Sequence, residues 1–341
     1  MHSTFATGHG LGDTGDFSNA IYTRVPIQGT VTPFLENDRV QRDLNAALGG
    51  NYLNESSLIA TAAAPTDNPR ISTALIGKLG PIAIFNPSAL NGVATLIVDD
   101  STGQAGSDIP IAPEWREAIR AAKIRPIDAP SRGDNGVPGT YIPDFVQQQY
   151  FLEMTLKVVL PRFKELGKPF ILVYWSRDPD GSQHTQGDKD INGPTSMSAI
   201  RAADGALAAI EQTLKALGMF ESTNIIVAAD HGFSTIAKDS ENGARELPTG
   251  FLAVDLAVAL QKDDTSLTLY DPDDNNRPVD LKSSHPSKAD GIIGTDPRFP
   301  QVVIAATICC STHSRTPTGP RVGGKTRVGT GGSSESAPEN A

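Results

Sequence analysis

Residues 169–175 read Pro-Phe-Ile-Leu-Val-Tyr-Trp, an apolar run of strand length without polar alternation. Such a run is typical of a strand buried on both faces of a parallel sheet. Next come a polar loop, a long amphipathic pattern over Thr195–Leu217 that Gly218 ends, and a second apolar run at Asn224–Ala229. This succession predicts a right-handed β-α-β unit with two neighbouring buried strands.

The surrounding chain repeats this alternation. Helical spacing over Asp144–Leu166 predicts a helix that Pro161 kinks or splits. Further helices are predicted at Glu114–Ile124 and Phe251–Leu260, and further strands at Ile82–Phe85, Val93–Val98 and Val302–Ala306. The predicted fold class is α/β, a doubly wound and mostly parallel sheet with helices on both faces. Ligands of such sheets bind at the carboxyl ends of the strands.

The composition changes sharply after Ala306. Residues 307–341 are rich in Gly, Ser, Thr and Pro without apolar periodicity. They bury too little surface to offset the entropy lost on ordering, so we predict one α/β domain over 1–306 and a disordered, low-complexity tail over 307–341. The tail contains a Walker A pattern at Gly319–Thr326 and the amino-terminal region a GxGxxG pattern at Gly10–Gly15. Neither follows a predicted strand, so neither predicts a nucleotide site.

Charge and hydropathy exclude several classes of protein. With 29 Lys and Arg against 39 Asp and Glu, the formal net charge is −10, which disfavours binding to nucleic-acid duplexes. No apolar run approaches the ~20 residues that a membrane span needs. The first residues have neither the basic start nor the apolar stretch of a secretory signal, so the compartment is left open. The oligomeric state is also left open.

Two strand ends deliver acid and imidazole side chains. The run ending at Trp175 continues to Asp180 and His184, and the run ending at Ala229 continues directly to Asp230 and His231. Pro179 and Gly181 exclude a regular helix here, so we expect Asp180 and His184 to converge through a loop. Asp oxygens and neutral His nitrogens suit Zn²⁺ and similar ions, and two such ions can clamp a phosphoryl group in transfer. Ordinary turns are the alternative explanation of each motif alone.

The motifs also carry a family resemblance. The segments His2-Ser-Thr-Phe-Ala-Thr-Gly8, Asp178-Pro-Asp-Gly-Ser-Gln-His184 and Asp230-His-Gly-Phe-Ser234 resemble the alkaline phosphatase superfamily, in its type I phosphodiesterase and nucleotide pyrophosphatase branch. The similarity runs from about His2 to Ala306. It implies a parallel α/β sheet, two zinc ions, and hydrolysis of phosphate esters through a phosphorylated Ser or Thr. Asp180 and His184 would hold one ion, and Asp230 and His231 the other, with Asp178 stabilising the loop.

The chain also departs from this family. The nucleophile and the first metal-binding Asp of the family would precede Met1, and the last His ligand has no equivalent in the tail, where His313 is a poor substitute. We interpret the chain as truncated at both ends. Thr4, Thr7 and Thr14 are better explained as residues of a helix-forming segment than as nucleophiles, and Asp13 and Asp16 as turn residues than as carboxylate ligands. His9 and His285 are expected in surface turns. Asp99 and Asp100 follow a predicted strand, where consecutive side chains point to opposite faces, so they are not expected to form a site together.

The function expected from the sequence is that of a metal-dependent phosphoric ester hydrolase by descent, impaired because the nucleophile and some ligands are missing. Its cofactors would be two divalent ions, expected to be zinc, and its substrate a small phosphate ester or nucleotide. The alternatives are a non-catalytic remnant that binds metal or phosphate weakly, and a sulfatase or phosphomutase of the same superfamily. Complete relatives are expected in the periplasm or outside the cell.

The truncated interpretation predicts a result at the DNA level. Translation of the flanking DNA in all frames is expected to reveal an Asp and a Thr upstream and a late His downstream. An intact in-frame gene that encodes none of them would contradict it.

Overall fold

The fold was analysed in a computed structural model that describes residues 2–16, 19–62, 71–92, 95–106, 109–131, 143, 145–185, 192–233, 250–287, 290–305 and 308–311. The strands are β1 Ser72–Gly77, β2 Leu96–Val98, β3 Phe170–Trp175, β4 Thr268–Asp271, β5 Arg277–Pro278, β6 Gly291–Gly294, β7 Val302–Ala305 and β8 Ile308–Ser311. The α-helices are α1 His2–Thr7, α2 Leu11–Thr14, α3 Asp38–Ala47, α4 Leu58–Ala62, α5 Pro81–Ile84, α6 Pro113–Ala121, α7 Phe145–Met154, α8 Leu160–Leu166, α9 Asp180–Thr185, α10 Pro194–Ala216 and α11 Phe251–Leu260.

A parallel three-stranded sheet, in the order β2-β1-β3, carries the amino-terminal half of the chain. In register, Ala74 lies opposite both Leu96 and Leu172. The end of β1 at Gly77 lies opposite the end of β3 at Trp175. The carboxyl ends of β1 and β3 therefore meet at one edge of the sheet.

Helices cover both faces of this sheet, because its strands are apolar on both sides. Ala74, Ile76 and Val98 pack on one face against α6, α7 and α8, whereas Leu75 and Ile97 pack on the other against α4 and α5. Successive strand side chains point to opposite faces, so an uninterrupted apolar run supplies both cores. The predicted α/β class is confirmed.

The helix predicted over Asp144–Leu166 is interrupted just before Pro161. A π-helical turn over Thr155–Val159 separates α7 from α8, and Pro161 lies in the first turn of α8. Proline cannot donate to the carbonyl one turn earlier and its ring clashes with that carbonyl, so the widened turn accommodates it. The predicted split is confirmed, and α6, α10 and α11 also match their predicted positions to within a few residues.

Two predicted strands are wrong. Ile82–Phe85 lies in and just after the helix α5, which Pro81 begins, and the strand of that region is the earlier β1, which was not predicted. Asn224–Ala229 is exposed and forms no described ladder; Ile226 is 90% exposed. β-branched residues favour an extended backbone, but a strand requires a partner, and no described strand lies along this segment.

The carboxyl-terminal region forms a separate antiparallel sheet in the order β5-β4-β6-β7-β8. The predicted strand at Val302–Ala306 exists as β7, but it pairs antiparallel to β6 and does not extend the parallel sheet. Helix α11 packs its Ala253, Val254 and Ala257 on this sheet. Strand β8 lies just beyond the domain boundary predicted at 306, and that boundary stays a prediction. The Walker A segment lies outside the described residues.

Within the described residues, every helix is too short or too polar to cross a membrane.

Two neighbouring acids at the end of β2 have opposite environments. Asp99 is buried beside Asp38, and the Ser101 hydroxyl donates to both carboxyls. Burial, together with the Asp38 charge, raises the pKa of Asp99 well above its usual range. Asp100 is instead paired with the Arg177 guanidinium. The side chains of Asp99 and Asp100 thus have different partners, as expected for consecutive residues at a strand end.

This contrast predicts opposite effects for two matched substitutions. Because Asp99 binds its proton more tightly when folded, wild-type stability falls as pH rises from about 4 towards its folded pKa. Asp99→Asn should raise the free energy of unfolding by about 1–3 kcal/mol at pH 8, with a smaller gain near pH 5. Asp100→Asn should lower it by about 3 kcal/mol at pH 8, because Arg177 loses its buried partner. Urea denaturation measures both; a destabilising Asp99→Asn at pH 8 would contradict the account.

Candidate functional site

The first motif is presented by a short helix and not by a loop, which corrects the sequence expectation. Helix α9 begins at Asp180, and Asp180 and His184 share one face at i and i+4. Asp178 Oδ1 accepts from the backbone N–H and the hydroxyl of Ser182, both at 2.8 Å, and so caps the first turn. Pro179 precedes the helix and Gly181 lies in its first turn, where neither removes an intrahelical hydrogen bond.

The two motifs meet at one carboxylate oxygen. Asp180 Oδ1 lies 3.3 Å from Nε2 of His184 and 3.4 Å from Nε2 of His231. The same His231 nitrogen lies 3.6 Å from Asp230 Oδ2. The structure therefore brings together all four residues that the sequence singled out.

His2 joins this group and was not predicted as a site residue. Its Nε2 lies 2.8 Å from Asp230 Oδ2, and its ring meets the Trp175 ring edge-on with centroids 4.9 Å apart. Trp175 ends β3, so His2 links the ends of both motif-bearing segments. Its signal in the sequence is its place in the His2–Gly8 segment, one of the three segments that carry the family resemblance.

Phe233 forms an aromatic wall beside the two imidazoles. Its ring centroid lies 4.9 Å from that of His184 and 5.5 Å from that of His231. These two histidines are the most open members of the group, with side chains 63% and 45% exposed, against 24% for Asp180. The aromatic contact limits their orientation while their nitrogens stay accessible to a ligand.

Both acids of the site are held ionised. Burial alone would raise the pKa of Asp180, but the hydrogen bond from His184 and the charges of Lys78, His184 and His231 outweigh it and lower that pKa to about 2. Burial likewise opposes ionisation of Asp230, and the hydrogen bond with His2 and the charge of His231 lower its pKa. The Lys78 ammonium, 3.4 Å from Asp180 Oδ2, was missed by sequence reasoning, although it directly follows a strand end.

The donor set suits a divalent ion in its pairwise distances. Tetrahedral zinc with bonds of about 2.0–2.1 Å separates neighbouring ligand atoms by about 3.3 Å. The His184–Asp180 separation of 3.3 Å matches this value, whereas the atoms of the other pair, His231 and Asp230, lie 3.6 Å apart. In the part of the chain that is described, however, no three Asp, Glu, His or Cys side chains are arranged to hold an ion as they stand. The imidazole nitrogens lie within hydrogen-bond or ion-pair distance of the carboxylates instead.

The other sequence candidates lie in local structure. The Thr7 hydroxyl donates to the Ser3 carbonyl, the Thr14 hydroxyl to the Leu11 carbonyl, and Asp13 accepts from the Gly10 amide. His9 is exposed, 3.9 Å from Glu55, and His285 is exposed. His313 lies outside the described residues. The short helices at Leu11–Thr14 and His2–Thr7 replace the strand and helix that a dinucleotide-binding glycine motif needs.

Comparison with known proteins gives short matches to curated relatives. Bis(5'-adenosyl)-triphosphatase ENPP4 of Homo sapiens and of Pongo abelii are each 31% identical over 70 residues, and the Bos taurus protein is 33% identical over 70 residues. Each match covers 20% of this chain and 15% of the relative, so only a small part of each relative is represented. No solved structure matches the chain.

The match to a family is far more extensive. The model of the family described as "Type I phosphodiesterase / nucleotide pyrophosphatase" matches residues 1–249, which include β1–β3 and the four motif residues. The resemblance drawn from the three motifs is thereby confirmed. The chain belongs to the type I phosphodiesterase/nucleotide pyrophosphatase family, within the alkaline phosphatase superfamily.

Proposed function

We propose that this chain is a metal-dependent phosphoric ester hydrolase of the phosphodiesterase or nucleotide pyrophosphatase type, with weak turnover. The observation that carries the proposal is the 3.4 Å approach of His231 Nε2 to Asp180 Oδ1. It joins the acid and imidazole pairs of two separate motifs at one point. Family membership supplies the reaction class, hydrolysis of phosphoric esters.

The residues that would hold the two ions are Asp180 with His184 and Asp230 with His231. Carboxylate oxygens and imidazole nitrogens are the donors that zinc takes in catalytic sites. When bound, two such ions lower the pKa of a hydroxyl or water and neutralise charge on the phosphoryl oxygens.

The protein's own side chains prepare this site. The pKa of Asp180 near 2 keeps its carboxylate ionised at neutral pH, and the hydrogen bond with His2 favours the same state at Asp230. Trp175 and Phe233 place aromatic surface against His2 and against the His184–His231 pair. These contacts restrict the orientations of the imidazole rings before an ion binds, so less side-chain entropy would be lost on ion binding.

The proposed substrate is a small phosphate ester or nucleotide. The relatives are named as bis(5'-adenosyl)-triphosphatases, and a bis(5'-adenosyl) triphosphate is a small nucleotide. A small substrate also agrees with the formal net charge of −10, which disfavours a nucleic-acid duplex.

Weak turnover is proposed because, in the described part of the chain, no Ser or Thr hydroxyl lies among the polar partners of the four acid and imidazole side chains. Within that part, these partners are His, Asp and Lys side chains and backbone groups. In other covalent enzymes, loss of the nucleophile leaves only about 10³–10⁴-fold acceleration over water.

The fold proposed with this function is the doubly wound, alkaline-phosphatase-like sheet. Its support is the parallel pairing of β1 with β2 and β3 and the helical cover on both faces. The site at the carboxyl ends of β1 and β3 agrees with the position of ligand sites in such sheets.

Zinc content and hydrolysis test the proposal together. Metal-free protein exposed to zinc and then dialysed should retain two ions per chain by elemental analysis. His184→Ala and His231→Ala should each lose about one, because each removes a ligand from a different pair, whereas the matched control His285→Ala should keep both. Slow zinc-dependent cleavage of bis(4-nitrophenyl) phosphate should fall to background in Asp180→Asn.

The possible failures differ in meaning. Less than one ion per wild-type chain would contradict the metal site. Two ions without any cleavage would favour the non-catalytic remnant. Fast turnover that Asp180→Asn abolishes would contradict weak turnover while supporting the hydrolase.

A further inference from the structure

Lys78 occupies an unusual position for a lysine. It directly follows β1, and its side chain is only 15% exposed. Its ammonium lies 2.9 Å from Glu36 Oε1 and 3.4 Å from Asp180 Oδ2. Lysine is rarely buried unless its charge is paired, and here two carboxylates flank it.

Two glycines allow the loop that contains Lys78 to lie close to Trp175 on one side and to Glu36 on the other. Gly77 has φ +139°, and a Cβ there would lie 2.0 Å from the Trp175 carbonyl oxygen. Gly80 has φ +90°, and a Cβ there would lie 2.8 Å from Glu36 Cγ. The close approach on both sides needs residues without a side chain. The loop is thus held between the end of β3 and the segment that carries Glu36.

Hydrogen bonds fix the loop further. The Lys78 amide donates to the Trp175 carbonyl at 3.2 Å, and the Leu79 amide donates to Asp100 Oδ1 at 3.0 Å. The Gln41 side-chain amide donates to the Gly80 carbonyl at 3.1 Å. Successive residues of the loop are therefore anchored to β3, to the end of β2 and to α3, which leaves the backbone of Lys78 little freedom.

We propose that Lys78, anchored by Glu36, is a positioning residue that fixes the orientation of the Asp180 carboxylate. Lys78 holds Oδ2, and the other oxygen, Oδ1, then faces His184 and His231. Glu36 compensates the ammonium charge, so the carboxylate is oriented without adding net positive charge beside a cation site. The proposal rests on the proposed function, in which Asp180 binds a divalent ion.

A double substitution isolates positioning from charge. Lys78→Met with Glu36→Gln removes one positive and one negative charge, so the local net charge is unchanged. Loss of partners that orient metal ligands typically costs 10–100-fold in metal affinity. The double variant should therefore bind zinc at least about tenfold more weakly than wild type by isothermal titration calorimetry. Lys78→Arg, which keeps the charge and the donors, should stay within a few-fold of wild type.

A second readout works without metal. In the presence of chelator, the imidazole Hε1 signals of His184 and His231, assigned by His→Ala variants, should shift in the double variant and stay in place in Lys78→Arg. Circular dichroism confirms that each variant is folded, and the His285 signal is the internal control.

The outcomes separate the two proposals. Unchanged imidazole signals, or zinc affinity equal to wild type, in a folded double variant would overturn the positioning role. Shifted signals in a protein whose wild type binds no zinc would support the orientation of Asp180 by Lys78 while contradicting the proposed function.

Discussion

The site depends on one oxygen atom, Asp180 Oδ1, which two imidazoles approach from different parts of the chain. A half-buried carboxylate is costly to ionise unless cations or donors surround it. His184, His231 and Lys78 supply that environment, and the acid remains charged at neutral pH. The ionised carboxylate of Asp180 lies where three segments meet: the helix α9, the extended segment before Asp230 and the loop after β1. The acid and imidazole side chains of the site lie within the residues that the family model matches, so the site and the family membership rest on the same part of the chain.

The α/β class, the strand β3 and the grouping of the site could be predicted from the sequence. The run Phe170–Trp175 has the length and continuous apolarity of a strand covered on both faces, and β3 contributes to both cores. Acid and imidazole residues that follow two apolar segments were expected to lie close together, and they do, although only the first of these segments is a strand of the sheet. Pro161 likewise marked the break between α7 and α8, because the effect of proline on a helix is local.

The wrong predictions concern segments whose structure depends on contacts with residues far away in the sequence. Asn224–Ala229 has strand composition but no described neighbour, and Val302–Ala305 pairs in the opposite direction to the one expected. Asp180–Thr185 is helical because the Asp178 carboxylate caps it, a contact stronger than the turn preference of Pro and Gly. Lys78 and His2 act through residues about one hundred and more than two hundred positions away, so no spacing in the sequence marks them.

The missing side chain of Gly77 has a consequence for how the molecule tolerates change. A methyl group there would meet the backbone carbonyl of Trp175, and a carbonyl cannot rotate aside as a flexible side chain can. Relief would come only by pushing apart β1 and β3, the two strands whose ends bear Lys78 and the ring that supports His2. The distance between Lys78 and Trp175 thus depends on residue 77 having no Cβ. This position does not itself contact any of the four acid and imidazole side chains of the site. A larger residue at position 77 would therefore displace the ends of β1 and β3 and change the distances within the site, even if every motif residue were kept.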